Sequence, residues 1–222
     1  LVSSSAASDV YKRQALLVSE RFSESGLRYS GALGASSTLA KSLHLTTNKL
    51  AGIHQTTFNI CHQTDYINQY LLNGLSASEA INKTDENNAL KLGFDSQEFC
   101  WPEWVKKLCI EHQLNLPEVI KPGKEYGFIN ESLTQKYGFK PQVKIMAGTT
   151  DSIAGFLAAG ATKNGEAVSS LGSTLAIKAI SPKPVFDQQL GLYSHRLGEN
   201  WLVGGASNCG GHILSLIHIS EP

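Results

Sequence analysis

Three segments of the chain carry residue types and spacings that could do chemistry. In the first, Gly148-Thr149-Thr150-Asp151, a short apolar strand over 143–147 gives way to a small-residue helix over 152–161. A carboxylate at that junction meets the partial positive charge of the helix start, which favours its ionised form. Ionised and exposed at the carboxyl end of a strand, Asp151 can accept a proton as a general base. The plainer reading is a helix cap, and the residue taken alone favours it. The second segment is Ser170-Leu171-Gly172-Ser173-Thr174. A glycine in a tight turn lets backbone N–H groups approach a phosphate, and the hydroxyls of Ser173 and Thr174 add donors. Hairpin turns favour these residues in any case. No GxxxxGK[ST] pattern occurs, and Lys178 lies four residues beyond Thr174 on the next strand. The third segment, Val203-Gly204-Gly205-Ala206-Ser207-Asn208 with Gly210-Gly211 beyond, leaves room for a flat or phosphorylated ligand. Close packing of a helix on a sheet explains it equally well. A base and two glycine turns, each following a strand, are what phosphoryl transfer to an alcohol needs. The carboxylate takes the hydroxyl proton, amides and hydroxyls hold the γ-phosphate, and a metal offsets the charge.

The elements that must position these residues are read from periodicity. Trp101, Trp104, Val105, Leu108 and Cys109 follow the i, i+3, i+4, i+7, i+8 spacing of a helix over 101–114, with Pro102 in its first turn. Ser36-Ser37-Thr38 caps a short helix through Leu39, Leu43 and Leu45. Ile60, Ile67, Tyr70 and Leu71 predict an amphipathic helix over 59–72, ended at Asn73-Gly74. A short helix over 131–137 stops at Gly138. Segment 84–95 reads as a loop with one helical turn, and 116–127 as connecting chain leading to a brief strand near 127–129. Segment 15–37 has little periodicity. Strands are predicted over 167–171 and 175–180, and a hairpin over 191–196 and 201–205 turns at 198–200. Helices and strands alternate, so the class is α/β.

Composition narrows the function. The chain has 222 residues, of which 41% are hydrophobic and 17% charged, which suffices for a packed core. Lys+Arg and Asp+Glu are both 19, so no basic footprint for nucleic acid is expected. No apolar run approaches the roughly 20 residues that span a bilayer, so no membrane partner is expected. Cys61, Cys100, Cys109 and Cys209 show no CxxC spacing and read as the reduced thiols of an intracellular protein. His54 and His62 are not at metal-ligand spacing, and no metal site is expected among the protein's own residues. The end segments LVSSSAASDVYKRQ (1–14) and LSLIHISEP (214–222) resemble translated sequencing adapters and are set aside as non-native.

The segments MAGTTDSIAGFLAAGA, AVSSLGSTLAIK and GLYSHRLGENWLVGGASNCGG, in that order, resemble the FGGY carbohydrate kinases. The preceding HQTDYINQYLLNG and TDENNALKLGFD extend the resemblance over nearly all of 15–211. It is strongest to the D-ribulose kinase and xylulose kinase-like branch of cyanobacteria, algae and plants. The resemblance implies an actin-like ATPase (ribonuclease H-like) α/β fold, truncated at both ends. Residues 15–162 would be part of the N-terminal, sugar-binding domain, and 163–213 the start of the nucleotide-side domain. ATP, with Mg2+, would phosphorylate a primary hydroxyl of a small sugar, most simply a ketopentose such as D-ribulose. Xylulose, glycerol or another polyol is the alternative within the family, and a non-catalytic nucleotide- or sugar-binding module is the alternative outside it. By the same resemblance Asp151 matches the catalytic base, and Gly172, Ser173 and Thr174 match the phosphate turn. Gly148, Thr149 and Thr150 flank the base, and Gly205 and Ser207 begin a second nucleotide-side segment. Asp65, Asp85, Asn87 and Asn88 match family residues and read as loop and helix-end structure. The family's opening Asp-Gly-Thr hairpin, much of its sugar-facing sheet and its adenine pocket have no counterpart here. The fragment alone is therefore expected to be inactive, and its parent to work in the cytoplasm or a plastid.

Overall fold

Burying one face of a single helix organises the first half of the molecule. In α5 (Glu103–Glu111), Trp104, Val105, Leu108 and Cys109 are buried, while Lys106 turns outward to Glu103 at 2.6 Å. Pro102 precedes the helix as its cap, at φ −61° and ψ 148°, one position earlier than the spacing suggests. Proline there loses no helical hydrogen bond, because the first N–H groups have no partner in the helix. The computed structural model describes residues 3–53, 57–74, 82–172, 174–187, 190–207 and 210–211. The chain divides into two units, Leu1–Thr149 and Thr150–Pro222.

In the first unit α5 packs with Val18 of α1 (Ser3–Glu24) and with Leu39 and Leu43 of α2 (Thr38–His44). Leu114 of β3 (Leu114–Asn115) joins the same core and pairs in parallel with Phe58 of β1 (Phe58–Asn59). Ser37 caps α2 by accepting the Ala40 N–H at 3.1 Å, as expected. Helix α1 corrects the reading of 15–37 as weakly patterned. Its apolar residues bunch at 15–18 instead of recurring every turn, yet Val18 and Phe22, one turn apart, both reach the core. The helix runs unbroken across residue 14, where Gln14 is buried and the Tyr11 ring meets His44 edge-on at 5.0 Å.

Two strands of three residues each went unseen in the sequence, as did the two-residue β1 and β3. β2 (Lys83–Asp85) pairs in parallel with β4 (Glu118–Ile120), where a loop and connecting chain were expected. Pro117 and Pro122 flank β4 and hide it, although proline is compatible with strand ends. α4 (Glu86–Ala89) follows β2 directly. A second core joins α3 (Gln63–Asn73), β5 (Glu125–Phe128), α6 (Glu131–Tyr137) and β6 (Lys144–Met146) through Leu133, Ile129 and Ile145. Gly127, at φ 150°, sits where β5 shifts register, and a Cβ there would lie 2.9 Å from Leu72. Gly74 ends α3 at φ 70°, and Gly138 ends α6 in the left-handed conformation.

The second unit is α7 (Asp151–Ala158) with an antiparallel sheet ordered β7-β8-β10-β9. Its strands are β7 (Ala167–Leu171), β8 (Leu175–Ser181), β9 (Tyr193–Leu197) and β10 (Asn200–Ser207). Ile153 and Phe156 of α7 are buried with Ile180 of β8 and Leu202 of β10. Alternation along β8 puts Ala176, Lys178 and Ile180 on one face of the strand. Among the described residues, no helix is long and apolar enough to cross a membrane.

Leu108 is 1% exposed and Ile110, on the opposite face of α5, is 75% exposed. Leu108→Ala is expected to cost about 2–5 kcal/mol in urea unfolding, and Ile110→Ala less than about 0.5 kcal/mol. Equal costs would mean that α5 is turned differently.

Candidate active site

The start of α7 separates the two roles weighed for Asp151. Thr150 holds the extended conformation of the capping position, at φ −72° and ψ 152°, but gives no side-chain cap. Its hydroxyl lies 3.2 Å from Ser152 Oγ instead. Asp151 is the first helical residue, and its Oδ1 accepts the Ser152 N–H at 2.7 Å. The carboxylate is thus anchored by one oxygen, on an exposed residue, with the second oxygen still able to accept a proton.

Asp151 lies on the rim of a cleft of about 400 Å³ within the second unit. α7 contributes Asp151, Ser152, Gly155 and Phe156, and the sheet contributes residues of β7 and β8 with Gly172 and Thr174 from the turn between them. The Gly172 N–H closes that turn by donating to the Thr174 carbonyl at 2.9 Å. The Gly172 carbonyl in turn accepts the Gly211 N–H at 2.7 Å, so the second and third sequence segments are joined by a backbone hydrogen bond. Ser173, expected in the phosphate turn, lies outside the described residues.

The remaining expected residues sit elsewhere. Gly205 and Ser207 lie on β10 opposite Ile177 and Leu175 of β8, and neither lines the cleft. The glycine of β10 that packing requires is Gly204. A Cβ there would run into the Ile177 carbonyl and lie 2.8 Å from Lys178 Cγ. Gly148 and Thr149 belong to the first unit. The Thr149 hydroxyl accepts from Asn87 Nδ2 at 3.1 Å, and a Cβ on Gly148 would rest 3.8 Å from Thr64.

Asn87 belongs to a buried polar group that the sequence reading treated as structural. Asp85 caps α4 by accepting the N–H groups of Asn87 and Asn88, both at 3.0 Å, and Asn88 Nδ2 at 2.6 Å. Asp65 Oδ2 accepts the His62 N–H at 2.9 Å and lies 3.0 Å from His62 Nδ1. Among the described residues, His62 Nε2, Asp65 Oδ1 and Asn87 Oδ1 are buried with no partner. Burial raises the Asp85 carboxyl above its ordinary range, against the hydrogen bonds from Asn88 and Asn87, and Asp65 raises it further. A larger cleft in the first unit, about 550 Å³, holds none of the expected site residues. Glu24, Asp95, Glu98, Glu103 and Glu111 outnumber Arg21 and Lys107 along it, which disfavours an anion. Among the described residues, no group of three or more His, Cys, Asp or Glu could hold a metal ion.

Solved structures resemble the chain over nearly its whole length. A xylulose kinase from Rhodospirillum rubrum matches 93% of it with a TM-score of 0.75 and 23% identity. A gluconate kinase from Lactobacillus acidophilus matches 94% with a TM-score of 0.74 and 21% identity. The fold is that of solved sugar kinases. It is the actin-like ATPase fold, and the chain covers 41% and 42% of these two structures. Among curated proteins, a gluconokinase from Bacillus licheniformis is 34% identical over 89 residues. A gluconokinase from Bacillus subtilis (strain 168) is 25% identical over 118 residues. The matched regions are 17% and 23% of those two proteins. No protein-family model matches the chain.

The Asp85 carboxyl yields a pH test. A carboxyl raised on folding contributes most below its unfolded value, near 3.9, and loses that contribution as pH rises through the folded value. The stability advantage of the native chain over Asp85→Ala is therefore expected to be larger at pH 3.5 than at pH 7 in denaturant unfolding. A larger advantage at pH 7 would contradict the burial-dominated environment.

Proposed function

We propose that the chain is the base-bearing part of an ATP-dependent sugar kinase. The observation that carries this reading is the cleft lined by Asp151, by Gly172 and Thr174, and by the face of β7 that bears Ser170. The likeness to solved sugar kinases and the two gluconokinase relatives support it. ATP supplies the phosphoryl group. Asp151 accepts the proton of the attacking primary hydroxyl, which is the one proton the transfer must remove. Ser170, which pairs with Ala176 on the cleft face of the sheet, and Thr174 donate to the phosphate. The set fits a triphosphate better than it fits a bare cation. Asp151 is the cleft's carboxylate, and magnesium usually arrives on phosphates with one or two carboxylates from the protein.

The proposed acceptor is a ketopentose such as D-ribulose, on the resemblance of the segments around Asp151. In this reading 15–162 belongs to the sugar-binding domain, 163–213 opens the nucleotide-side domain, and the end segments 1–14 and 214–222 are non-native. The 222 residues are inactive alone, because they cover less than half of a solved kinase.

The test is ADP release by the longer gene product with D-ribulose, D-xylulose, D-gluconate and glycerol. Turnover fastest with D-ribulose, and reduced at least about 10³-fold by Asp151→Asn, is the expected result. Full turnover by the variant removes Asp151 from the base role. Nucleotide binding without ADP release identifies a non-catalytic module instead.

A further inference from the structure

Lys178 stands at an inward position of β8, where neighbouring Ile180 joins the apolar core with α7. It is 8% exposed, an unusual location for a charged side chain. Its ammonium donates to Ser152 Oγ at 2.8 Å on the first turn of α7. Ser152 also donates its backbone N–H to Asp151, so one residue orients both charged groups of the cleft. Among the described lining residues, Asp151 and Lys178 are the charged ones. The opposite strand makes room for this lysine. Gly204 of β10 pairs with Lys178, and any Cβ at 204 would collide with the lysine stem.

We propose that Lys178 is a phosphate-binding residue, whose buried ammonium, steered by Ser152, neutralises the phosphoryl group held beside Asp151. A dianionic phosphate next to a carboxylate is repelled unless a cation offsets the charge, and in a partly buried cleft that cation acts with little screening. The neighbouring Ser170 and Thr174 hydroxyls complete a donor set suited to phosphate oxygens. Lys178 thus supplies from a strand interior the charge that a Walker lysine supplies from a loop. The proposal rests on the kinase reading for the source of the phosphate but can be tested apart from it.

The experiment titrates the 222-residue chain with inorganic tripolyphosphate and with MgATP by calorimetry. Lys178→Met is expected to weaken both about 10–100-fold, with Lys178→Arg within about 3-fold of the native chain. Unfolding curves of each variant accompany the titrations. If Lys178→Met does not fold, Ser152→Ala supplies the test: affinity lowered about 3–10-fold supports the proposal, and unchanged affinity overturns it. Affinity indifferent to Lys178→Met overturns it, as does a native chain that binds neither probe. Binding that depends on Lys178, beside a longer gene product that phosphorylates no sugar, refutes the kinase reading and leaves the phosphate site. Sugar phosphorylation that survives Lys178→Met unchanged does the reverse.

Discussion

The hydrogen bond from Lys178 to Ser152 ties the sheet of the second unit to the start of its helix. Strand alternation places Lys178 on the same face of β8 as Ile180, so the packing that buries Ile180 against α7 also carries the ammonium to the first helical turn. Ser152 then fixes Asp151 through its N–H. A carboxylate, an ammonium and the Ser170 hydroxyl are positioned by one helix and two paired strands, all rigid elements. Sites on such elements are held more closely than sites on loops.

Much of this was legible where one period dominates. The α5 stripe from Trp104 to Cys109 repeats every turn, and the β7–β8 and β9–β10 hairpins are bracketed by glycine turns at Gly172 and Gly198. The unreadable parts lacked a period. β2 and β4 are three residues each and depend on a partner more than thirty positions away, so no local pattern announces them. α1 hides because its apolar residues cluster together instead of recurring every turn.

The candidate site was half legible for a related reason. Asp151 and the Gly172 turn are marked by residue type. Lys178 is marked only by its place in the alternation, a charge where the face should be apolar, together with Gly204 across the strand pair. Gly204 and Gly205 look alike in the sequence, and register shows that Gly204 is the one that β8 approaches. A lysine aligned with a glycine on an otherwise apolar strand face is the signal that was available.

The polar group of the first unit has a different character. Asp85 engages both oxygens at the start of α4, whereas Asp65 gives only Oδ2 to the start of α3; among the described residues Asp65 Oδ1, His62 Nε2 and Asn87 Oδ1 are buried without partners. Buried polar atoms of that kind are satisfied by an ordered water or a bound hydroxyl.

The central claim is that nucleotide phosphates sit in the α7–β8 cleft. Backbone amide shifts recorded by NMR while MgADP is titrated into the 222-residue chain test it most directly. Shifts concentrated at Ser152, Ser170, Gly172, Thr174 and Lys178 are the expected result. Shifts confined to the larger cleft lined by α1 and α5, with those five residues unmoved, would contradict it.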